Sequence, residues 1–270
     1  LFSGPRGVGK TSIARIFARA INCEHPQAGE ACGACEGCRA MNGDSPMDLM
    51  EIDAASNNGV DSIRDLRDNV GYLPAHGRYR VYIIDEVHML SPSAFNALLK
   101  TLEEPPSHAV FLLATTEPRK LPETVLSRCQ HYEFRRLPTA QIVDYMRGLL
   151  EDMGVDMELR GLQAIARAAE GGMRDALSML DQCISLGAEG VISAEDVYSM
   201  LGTSDTRYIA ALADAMLAGD TGRTLGGLSH MVEGGSDITA LSQELLRYFR
   251  DLFMALYLDD LETTLSVDEN

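Results

Sequence analysis

The sequence predicts an α/β fold, in which the first 138 residues form a parallel sheet covered by helices and the rest is helical. Three observations support this prediction. Short apolar runs alternate with segments of helical periodicity up to Pro138, which is typical of βα units. A glycine-rich turn at residues 4–9 joins the first of these runs to the first helical segment. Beyond Pro138, apolar residues recur at helical spacing only.

Five strands are predicted, and the third is a continuous apolar run, as expected for a strand that is buried on both faces of a parallel sheet. In chain order they are Leu1–Phe2, Leu49–Asp53, Val81–Ile84, Ala109–Ala114 and His131–Phe134. The first run is only the end of a strand. We therefore expect that an N-terminal part of this domain precedes residue 1.

The helices that connect these strands are predicted from apolar periodicity and from residues typical of helix ends. The first helix carries Ile13, Ile16, Phe17, Ala20 and Ile21. The second runs from Val60 to a stop near Pro74. The third begins at Pro92, with Ser91 as its N-cap, and stops at Pro105.

Two further domains are predicted from the helical second half. Residues 139–202 contain three amphipathic segments and form one domain, and residues 203–270 continue with helices that form another. The last helix carries an apolar stripe at Leu241, Leu245, Phe249, Leu252 and Leu256.

Composition limits the function classes. The protein has 46 % hydrophobic and 23 % charged residues, which are ordinary globular values. Its net charge is −17, with most of the acidic excess in residues 189–270, and this argues against a free-standing nucleic-acid binder with a basic face. The longest apolar runs are too short to span a membrane, and we expect no signal peptide. We expect a cytoplasmic protein without membrane contact.

The glycine-rich turn is a phosphate-binding motif. The stretch matches G-x-x-x-x-G-K-[ST], and it lies between a strand and a helix as that motif requires. Its backbone N–H groups and the helix N-terminus favour phosphate, while Lys10 can reach the β- and γ-phosphates and Thr11 can ligate Mg²⁺. The predicted nucleotide ligands are Gly4, Pro5, Arg6, Gly7, Val8, Gly9, Lys10, Thr11 and Ser12.

An acidic pair ends the third predicted strand. With a phosphate loop upstream, Asp85 would hold Mg²⁺ and Glu86 would polarise the attacking water. The alternative is a pair of carboxylates that cap a strand at the surface. Because the phosphate loop precedes them, we favour the catalytic interpretation.

Four cysteines form a candidate metal site within an inserted module at residues 23–47. The spacing of Cys23, Cys32, Cys35 and Cys38 is C-x8-C-x2-C-x2-C, which suits a structural, tetrahedral Zn²⁺ site. The alternatives are an iron–sulfur cluster and unligated thiols. Against the cluster, the sequence lacks the fourth cysteine and the following proline that a ferredoxin motif has at this point. Cys129 and Cys183 are expected to be buried apolar residues.

Several segments resemble a known family. The Asp85–His88 segment fits the D-E-x-H box of helicases, but no second sheet domain follows it. A sheet domain followed by a helical lid instead resembles the AAA+ ATPases. Among these, the chain resembles the γ/τ subunits of the bacterial DNA polymerase III clamp loader in four segments: Asp85–Leu90, Thr115–Pro118, Ser127–Cys129 and Gly172–Leu177. The cysteine insertion fits the same pattern. The resemblance covers nearly all of residues 1–200, whereas beyond 203 it rests on helical character alone.

This resemblance implies further roles. Thr116 matches the polar sensor that orients water against the γ-phosphate, with Thr115 as the alternative. Arg128 matches an arginine finger that acts on the nucleotide of the neighbouring subunit, and Arg174 matches a second sensor on the lid for ATP in its own subunit. Each residue also has a purely structural alternative. The threonines could cap the strand, Arg128 could be an ordinary surface arginine, and Arg174 could form an ion pair within the lid.

The family further implies a function. The chain would be an ATP- and Mg²⁺-dependent clamp loader subunit in a hetero-oligomeric ring, with residues 203–270 as its collar. The ring would open a sliding clamp and bind primed DNA. The alternatives are another AAA+ motor, such as a branch-migration helicase, and a non-hydrolysing scaffold subunit. The helicase leaves the cysteine module unexplained, and scaffold relatives lack the intact phosphate loop or acidic pair.

Overall fold

The computed structural model describes residues 1–43, 46–186, 191–202, 206–233 and 237–257. The chain divides into two compact units, Leu1–Arg136 and Leu137–Asn270. The further division of the second unit at residue 202 stays a prediction.

The first unit is built on a five-stranded parallel sheet, and the predicted strands are confirmed within one or two residues at each end. The strands are β1 (Phe2–Ser3), β2 (Leu49–Asp53), β3 (Arg80–Asp85), β4 (Ala109–Thr115) and β5 (Tyr132–Glu133). Their order in the sheet is β2-β3-β4-β1-β5. The register pairs Asp53 with Asp85 and Ser3 with Thr115. The carboxyl ends of the strands therefore meet at one edge, which is where ligands bind in open α/β sheets.

Helices cover both faces of this sheet. They are α1 (Lys10–Ile21), α2 (Glu36–Met41), α3 (Val60–Val70), α4 (Pro92–Glu103) and α5 (Glu123–Leu126). One face packs Ala14 and Ala18 of α1 against Val81 and Ile83. The other face packs α3 and α4 against residues such as Tyr82 and Ile84. Successive residues of β3 thus point to opposite cores, which explains its continuous apolar run.

The predicted helix α1 is confirmed, but the face that packs on the sheet was not identified from the sequence. Its periodicity does form a helix, but Ile13, Ile16 and Phe17 are each more than 40 % exposed. The small residues Ala14 and Ala18 are fully buried instead, and they allow α1 to lie close to the sheet. Of the apolar residues named for this helix, Ile21 packs against the core that contains Val81 and Ile83.

The start of α4 follows the prediction. Ser91 is the N-cap, its hydroxyl accepting the backbone N–H of Ala94 at 3.3 Å, and Pro92 is the first helical residue. Since proline has no N–H to lose there and its φ is already helical, the chain turns from β3 into α4 within a few residues.

The second unit is helical in the residues that the structure describes, apart from one isolated β-bridge between Met157 and Ile192. A first group of helices shares one core that includes Ile142, Met146, Ile165, Leu180 and Val197. These helices are α6 (Thr139–Met153), α7 (Leu159–Ala168), α8 (Met173–Leu186) and α9 (Ala194–Leu201).

The remaining helices form a smaller core in the same unit. They are α10 (Thr206–Leu217), α11 (Thr221–Glu233) and α12 (Ile238–Ala255). Leu241 is buried in this core and Leu245 packs against it, whereas Leu256, at the end of the predicted stripe, is exposed. None of the helices in the described part of the chain is long and apolar enough to cross a membrane.

Candidate functional site

The phosphate loop leaves β1 at the carboxyl edge of the sheet. Gly4, Gly7 and Gly9 all have positive φ, a region that residues with a Cβ rarely adopt. At Gly4 a Cβ would also collide with the carbonyl oxygen of Phe134. These glycines bring the backbone round to the N-terminus of α1. A helix start preceded by such a loop is suited to bind phosphate.

Lys10 is the first residue of α1 and is buried. Its ammonium donates to the carbonyl oxygens of Gly4 at 2.9 Å and Pro5 at 2.7 Å, so the side chain folds back over the loop. Burial lowers the pKa of Lys10, and the carboxylates of Glu86 and Asp85 offset part of this effect. The ammonium is therefore held inside the loop, near two carboxylates.

Thr11 and Asp85 form the link between the loop and β3. The Thr11 hydroxyl donates to Oδ2 of Asp85 at 2.7 Å, while Oδ1 of Asp85 accepts the backbone N–H of Glu86 at 2.9 Å. A hydroxyl and a carboxylate oxygen in contact are hard oxygen ligands of the type that Mg²⁺ prefers. The pair fits the predicted magnesium site.

Glu86 lies directly after β3 in a left-handed conformation, with φ 46° and ψ 45°. Its Oε2 accepts both the backbone N–H of Thr116 at 3.1 Å and the Thr116 hydroxyl at 2.9 Å. The neighbouring Thr115 hydroxyl is buried and instead accepts the N–H of Glu117 at 3.0 Å. Of the two candidate sensor residues, Thr116 is therefore the one that contacts Glu86.

Sequence reasoning missed His88. It assigned no role to any histidine, yet the His88 side chain is only 5 % exposed and lies between the carboxylates of Glu86 and Glu117. The D-E-x-H spacing carried the relevant signal, because a short turn after β3 brings the fourth residue back towards the second.

The two predicted arginines belong to other elements, one directly after α5 and one in α8. Arg128 follows α5, and its guanidinium donates to Oε1 of Glu103 at 2.9 Å and to the carbonyl oxygen of Thr124 at 2.8 Å. Arg174 belongs to the second unit, where it is the second residue of α8 and is exposed. Among the other predicted ligands, Arg6 and Ser12 are exposed and Val8 is half-buried.

The four cysteines of the inserted module converge. Cys23, Cys32, Cys35 and Cys38 place their sulfur atoms within 4.8 Å of one another. Two of the Sγ–Sγ distances are 3.9 Å and 4.0 Å. A tetrahedral Zn²⁺ with Zn–S bonds of about 2.3 Å requires edges of about 3.8 Å. The geometry fits such an ion, and this is the one such group of cysteine, histidine and acidic residues found in the described ranges.

Backbone groups around these sulfurs favour the thiolate form. The N–H groups of Cys32, Cys35 and Cys38 point at the sulfurs of Cys23, Cys32 and Cys35 at 3.2–3.4 Å. Backbone N–H groups at Glu24 and Cys38 lower the pKa of Cys35 to about 6, whereas burial raises the pKa of Cys38 to about 12. A divalent cation would hold all four as thiolates.

The other two cysteines are separate. Cys183 is buried in the second unit, and burial raises its pKa to about 11. Cys129 was expected to be buried, but it is only half-buried at the edge of the core formed with α3 and α4. That part of the prediction was wrong.

A parallel sheet with this strand order and a phosphate loop next to an acidic pair defines a phosphate-loop nucleotide-binding protein of the AAA+ class. The solved Thermotoga maritima RuvB Holliday junction branch migration motor matches 80 % of this chain and 67 % of its own, with a TM-score of 0.53 and 16 % identity. At this identity the likeness concerns the fold alone. A second RuvB structure from the same organism, a K64R mutant, gives a TM-score of 0.54 at 15 % identity with the same coverage.

Family models and relatives identify the branch of this class. Three models match in succession: "DNA polymerase III, delta subunit" over residues 1–138, "DNA polymerase III clamp loader subunit, ATPase lid domain" over 141–189, and "DNA polymerase III subunits gamma and tau domain III" over 192–270. The chain belongs to the DNA polymerase III gamma/tau family of AAA+ clamp loader subunits.

Named relatives agree with this assignment. DNA polymerase III subunit tau of Bacillus subtilis is 49 % identical over 94 % of this chain and 45 % of its own. The Escherichia coli subunit tau is 49 % identical over 91 % of this chain and 38 % of its own. The subunit gamma of Buchnera aphidicola is 38 % identical over 92 % of this chain and 68 % of its own. The chain thus spans less than half the length of the first two relatives.

Proposed function

We propose that the chain is an ATP-hydrolysing subunit of a bacterial replicative clamp loader. The observation that carries this proposal is the cluster at the carboxyl edge of the sheet. There Lys10, Thr11, Asp85, Glu86 and Thr116 are linked by hydrogen bonds and charge in one site. A scaffold subunit would have no use for an intact phosphate loop together with an intact acidic pair.

Each residue of this cluster has a distinct task in the proposal. The loop from Gly4 to Ser12 would bind the phosphates of ATP, and Lys10 would turn from its carbonyl partners towards the β- and γ-phosphates. Thr11 and Asp85 would hold Mg²⁺, which supplies charge neutralisation when it is bound. Glu86 would accept a proton from water, and Thr116 would orient this carboxylate and the water.

Two arginines outside the phosphate loop and the acidic pair complete the proposed mechanism. Arg128 would act as a finger on the nucleotide of a neighbouring subunit, where it stabilises charge on the transferring phosphoryl group. Its present partner, Glu103, holds the guanidinium at the surface of the first unit. Arg174, at the start of α8, would sense the γ-phosphate in its own subunit.

The proposed partners of the chain are inferred from its family. The gamma/tau relatives are subunits of DNA polymerase III, so this chain would join other clamp loader subunits in a hetero-oligomeric ring in the cytoplasm. Residues 203–270 would form the collar that holds the ring, and residues 139–202 the lid. ATP binding would order the ring so that it opens a sliding clamp and binds primed DNA, and hydrolysis would release both.

The cysteine module would hold one structural Zn²⁺. Two observations support this assignment. The sulfur-to-sulfur distances are close to those of a tetrahedral site, and backbone N–H groups are directed at three of the sulfurs. With four protein ligands the ion would have no open position, so the site would stabilise residues 23–43 without taking part in ATP hydrolysis.

A three-way ATPase assay tests the function. We expect the chain, assembled with its partner subunits, to hydrolyse ATP faster when the sliding clamp and primed DNA are both present, and to leave closed clamps on the DNA. Hydrolysis that responds to a four-way DNA junction but not to the clamp would instead identify a branch-migration motor. A ring that needs this chain but not its Lys10 for hydrolysis would identify a scaffold.

A further inference from the structure

A buried histidine lies beside the candidate base and has no task in the proposed function. His88 is on a short 3₁₀ turn, Val87–Met89, that begins directly after Glu86. Its side chain is 5 % exposed, whereas the Glu86 side chain is 28 % exposed. A neutral imidazole has one N–H donor and one acceptor nitrogen, but the surroundings of His88 contain two carboxylates, which only accept hydrogen bonds.

The two ring nitrogens of His88 face different groups. Nδ1 is hydrogen bonded to the Thr115 hydroxyl at 2.9 Å, and the same nitrogen lies at ion-pair distance, 3.3 Å, from Oε2 of Glu86. Nε2 lies 3.5 Å from Oε1 of Glu117, whose carboxylate is also paired with Lys120 at 2.7 Å. The nitrogen that can act on the candidate base is therefore Nδ1.

Three groups converge on one oxygen of Glu86. Oε2 accepts the N–H and the hydroxyl of Thr116, and Nδ1 of His88 approaches the same oxygen from the 3₁₀ turn. No group among the described residues is hydrogen bonded to Oε1. A carboxylate with one fixed oxygen and one open oxygen is oriented as a general base must be, because only the open oxygen can accept a proton from water.

The backbone of Glu86 supports the same conclusion. A glutamate in the left-handed region is uncommon, and such residues persist where the surrounding contacts hold them. The Glu86 carbonyl oxygen accepts the N–H of Met89 at 2.8 Å, which closes the turn and brings His88 back towards the carboxylate. Backbone and side chain of Glu86 are thus held by the same short segment.

We propose that His88 is a positioning residue for Glu86, holding Oε2 through Nδ1 together with Thr116 so that Oε1 is left to activate water. This inference rests on the proposed function, in which Glu86 is the base. It assigns His88 no proton transfer of its own.

Three substitutions separate the two ring nitrogens. His88→Asn keeps a polar atom near the position of Nδ1, His88→Gln keeps one near Nε2, and His88→Leu keeps neither. In the assembled clamp loader we expect His88→Leu and His88→Gln to lower kcat by roughly 10- to 100-fold, by analogy with the loss of a partner that orients a metal ligand. The Asn variant should stay within about threefold of the parent, and ATP affinity should change little in all three.

A double substitution distinguishes positioning from a loss of stability. If His88 acts through Glu86, adding His88→Leu to Glu86→Gln should slow hydrolysis no further, whereas independent effects would multiply. His108→Asn is the matched control, since His108 bonds the carbonyl oxygen of Val70 before β4, at the opposite edge of the sheet. It should leave kcat unchanged. Thermal unfolding of every variant, with and without ATP, reports how much folded protein is assayed.

The outcomes separate this inference from the function on which it rests. A Glu86→Gln ring that hydrolyses ATP at the parent rate overturns the assignment of the base itself. If Glu86→Gln is slow but folded His88→Leu is as fast as the parent, only the role of His88 is wrong. An Asn variant as slow as the Leu variant, or a double variant slower by the product of the two single effects, also rejects it.

Discussion

The Thr11 hydroxyl donates a 2.7 Å hydrogen bond to Oδ2 of Asp85. This contact joins the first turn of α1 to the end of β3, two elements that are far apart in the sequence but adjacent at the carboxyl edge of the sheet. Since both oxygens are hard ligands, the contact marks the position where a nucleotide-bound Mg²⁺ would be held. The same edge carries Glu86 and Thr116, so binding and hydrolysis are assigned to one site.

Substitution of Thr11 tests this magnesium assignment. Thr11→Val keeps the shape of the side chain but removes the hydroxyl, and we expect the Mg²⁺ concentration for half-maximal hydrolysis to rise by roughly 10- to 100-fold. Thr11→Ser keeps the hydroxyl and is the matched control. Titration of ATPase activity with Mg²⁺ measures the effect. Equal Mg²⁺ dependence for Val and Ser at this position would remove Thr11 from the metal site.

Glu86→Gln tests the candidate base. The amide keeps the size of the side chain but cannot accept a proton, so we expect ATP binding and clamp opening to persist while hydrolysis slows by roughly two to four orders of magnitude. Lys10→Ala provides the contrast, because loss of the ammonium should weaken nucleotide binding itself. Binding of a fluorescent ATP analogue and single-turnover hydrolysis separate these effects. Parent-like hydrolysis by the Gln variant would place the base elsewhere.

Zinc content is a prediction about the inserted module at residues 23–47. Purified protein should contain about one Zn²⁺ per chain and be colourless, since Zn²⁺ has no visible absorption. Elemental analysis and the visible spectrum check this, and absorption from a cluster or the absence of zinc would contradict it. Cys35→Ser should lower zinc content and the stability of the module, while Cys129→Ser, outside the cluster, should leave zinc content unchanged.

The sequence was sufficient for most of the sheet because its local patterns agree with the tertiary structure. The run Val81–Ile84 is buried on both faces, and the Ser91-Pro92 start of α4 is a local feature. For α1 the periodicity predicted the helix but not its packing face, since Ile13, Ile16 and Phe17 are exposed. How close a helix lies to the sheet is set by small residues such as Ala14, which carry little hydrophobic signal.

The sequence predicted those parts of the candidate site that belong to recognisable motifs. The phosphate loop and acidic pair specify residue types at fixed spacing, and the structure brings them together. The link between Glu86 and His88 depends on a left-handed backbone, and the choice of Thr116 over Thr115 depends on which hydroxyl leaves the strand towards Glu86. The D-E-x-H spacing indicates the first feature and the family resemblance the second, but the contacts themselves can be read only from the fold.

Two buried polar residues were also missed, and one of them gives a prediction about pH. Asp48 is 5 % exposed and accepts backbone N–H groups of Ala75, His76 and Gly77 at 2.6–2.7 Å. Burial alone would raise the pKa of Asp48, but these three donors outweigh it and lower the pKa. The other residue, Asn22, accepts the N–H of Tyr79 at 2.7 Å, so both residues anchor the loop before β3.

We expect Asp48→Asn to lower the free energy of unfolding by about 1–3 kcal/mol near neutral pH, because the amide has one acceptor oxygen for three donors. Since the folded pKa lies below the unfolded value of 3.8, the stabilisation is complete above that value and is lost as the pH falls through the folded pKa. The difference between parent and variant should therefore shrink in acid. Urea unfolding at several pH values measures it. Asp61→Asn, whose side chain is 89 % exposed, should change stability by less than about 0.5 kcal/mol.

Arg128 provides the last prediction, which concerns the assembly. Its guanidinium is paired with Glu103 and Thr124 at the surface of the first unit, so within one chain it has partners other than the phosphate loop. An arginine finger supplied by a neighbour is worth roughly 10³- to 10⁵-fold in rate. Arg128→Ala should thus leave the ATP affinity of the isolated chain nearly unchanged and abolish most hydrolysis by the assembled ring.

A mixing experiment decides whether Arg128 acts across a subunit interface. Lys10→Ala chains cannot use their own site but still carry Arg128, while Arg128→Ala chains carry an intact site. In rings that contain both, an intact site will sometimes lie next to an intact arginine, and we expect part of the activity to return. Size-exclusion chromatography with differently labelled chains verifies that the two variants assemble together. If such mixed rings hydrolyse ATP no faster than either variant alone, Arg128 does not serve a neighbouring site, and its pairing with Glu103 is a structural contact only.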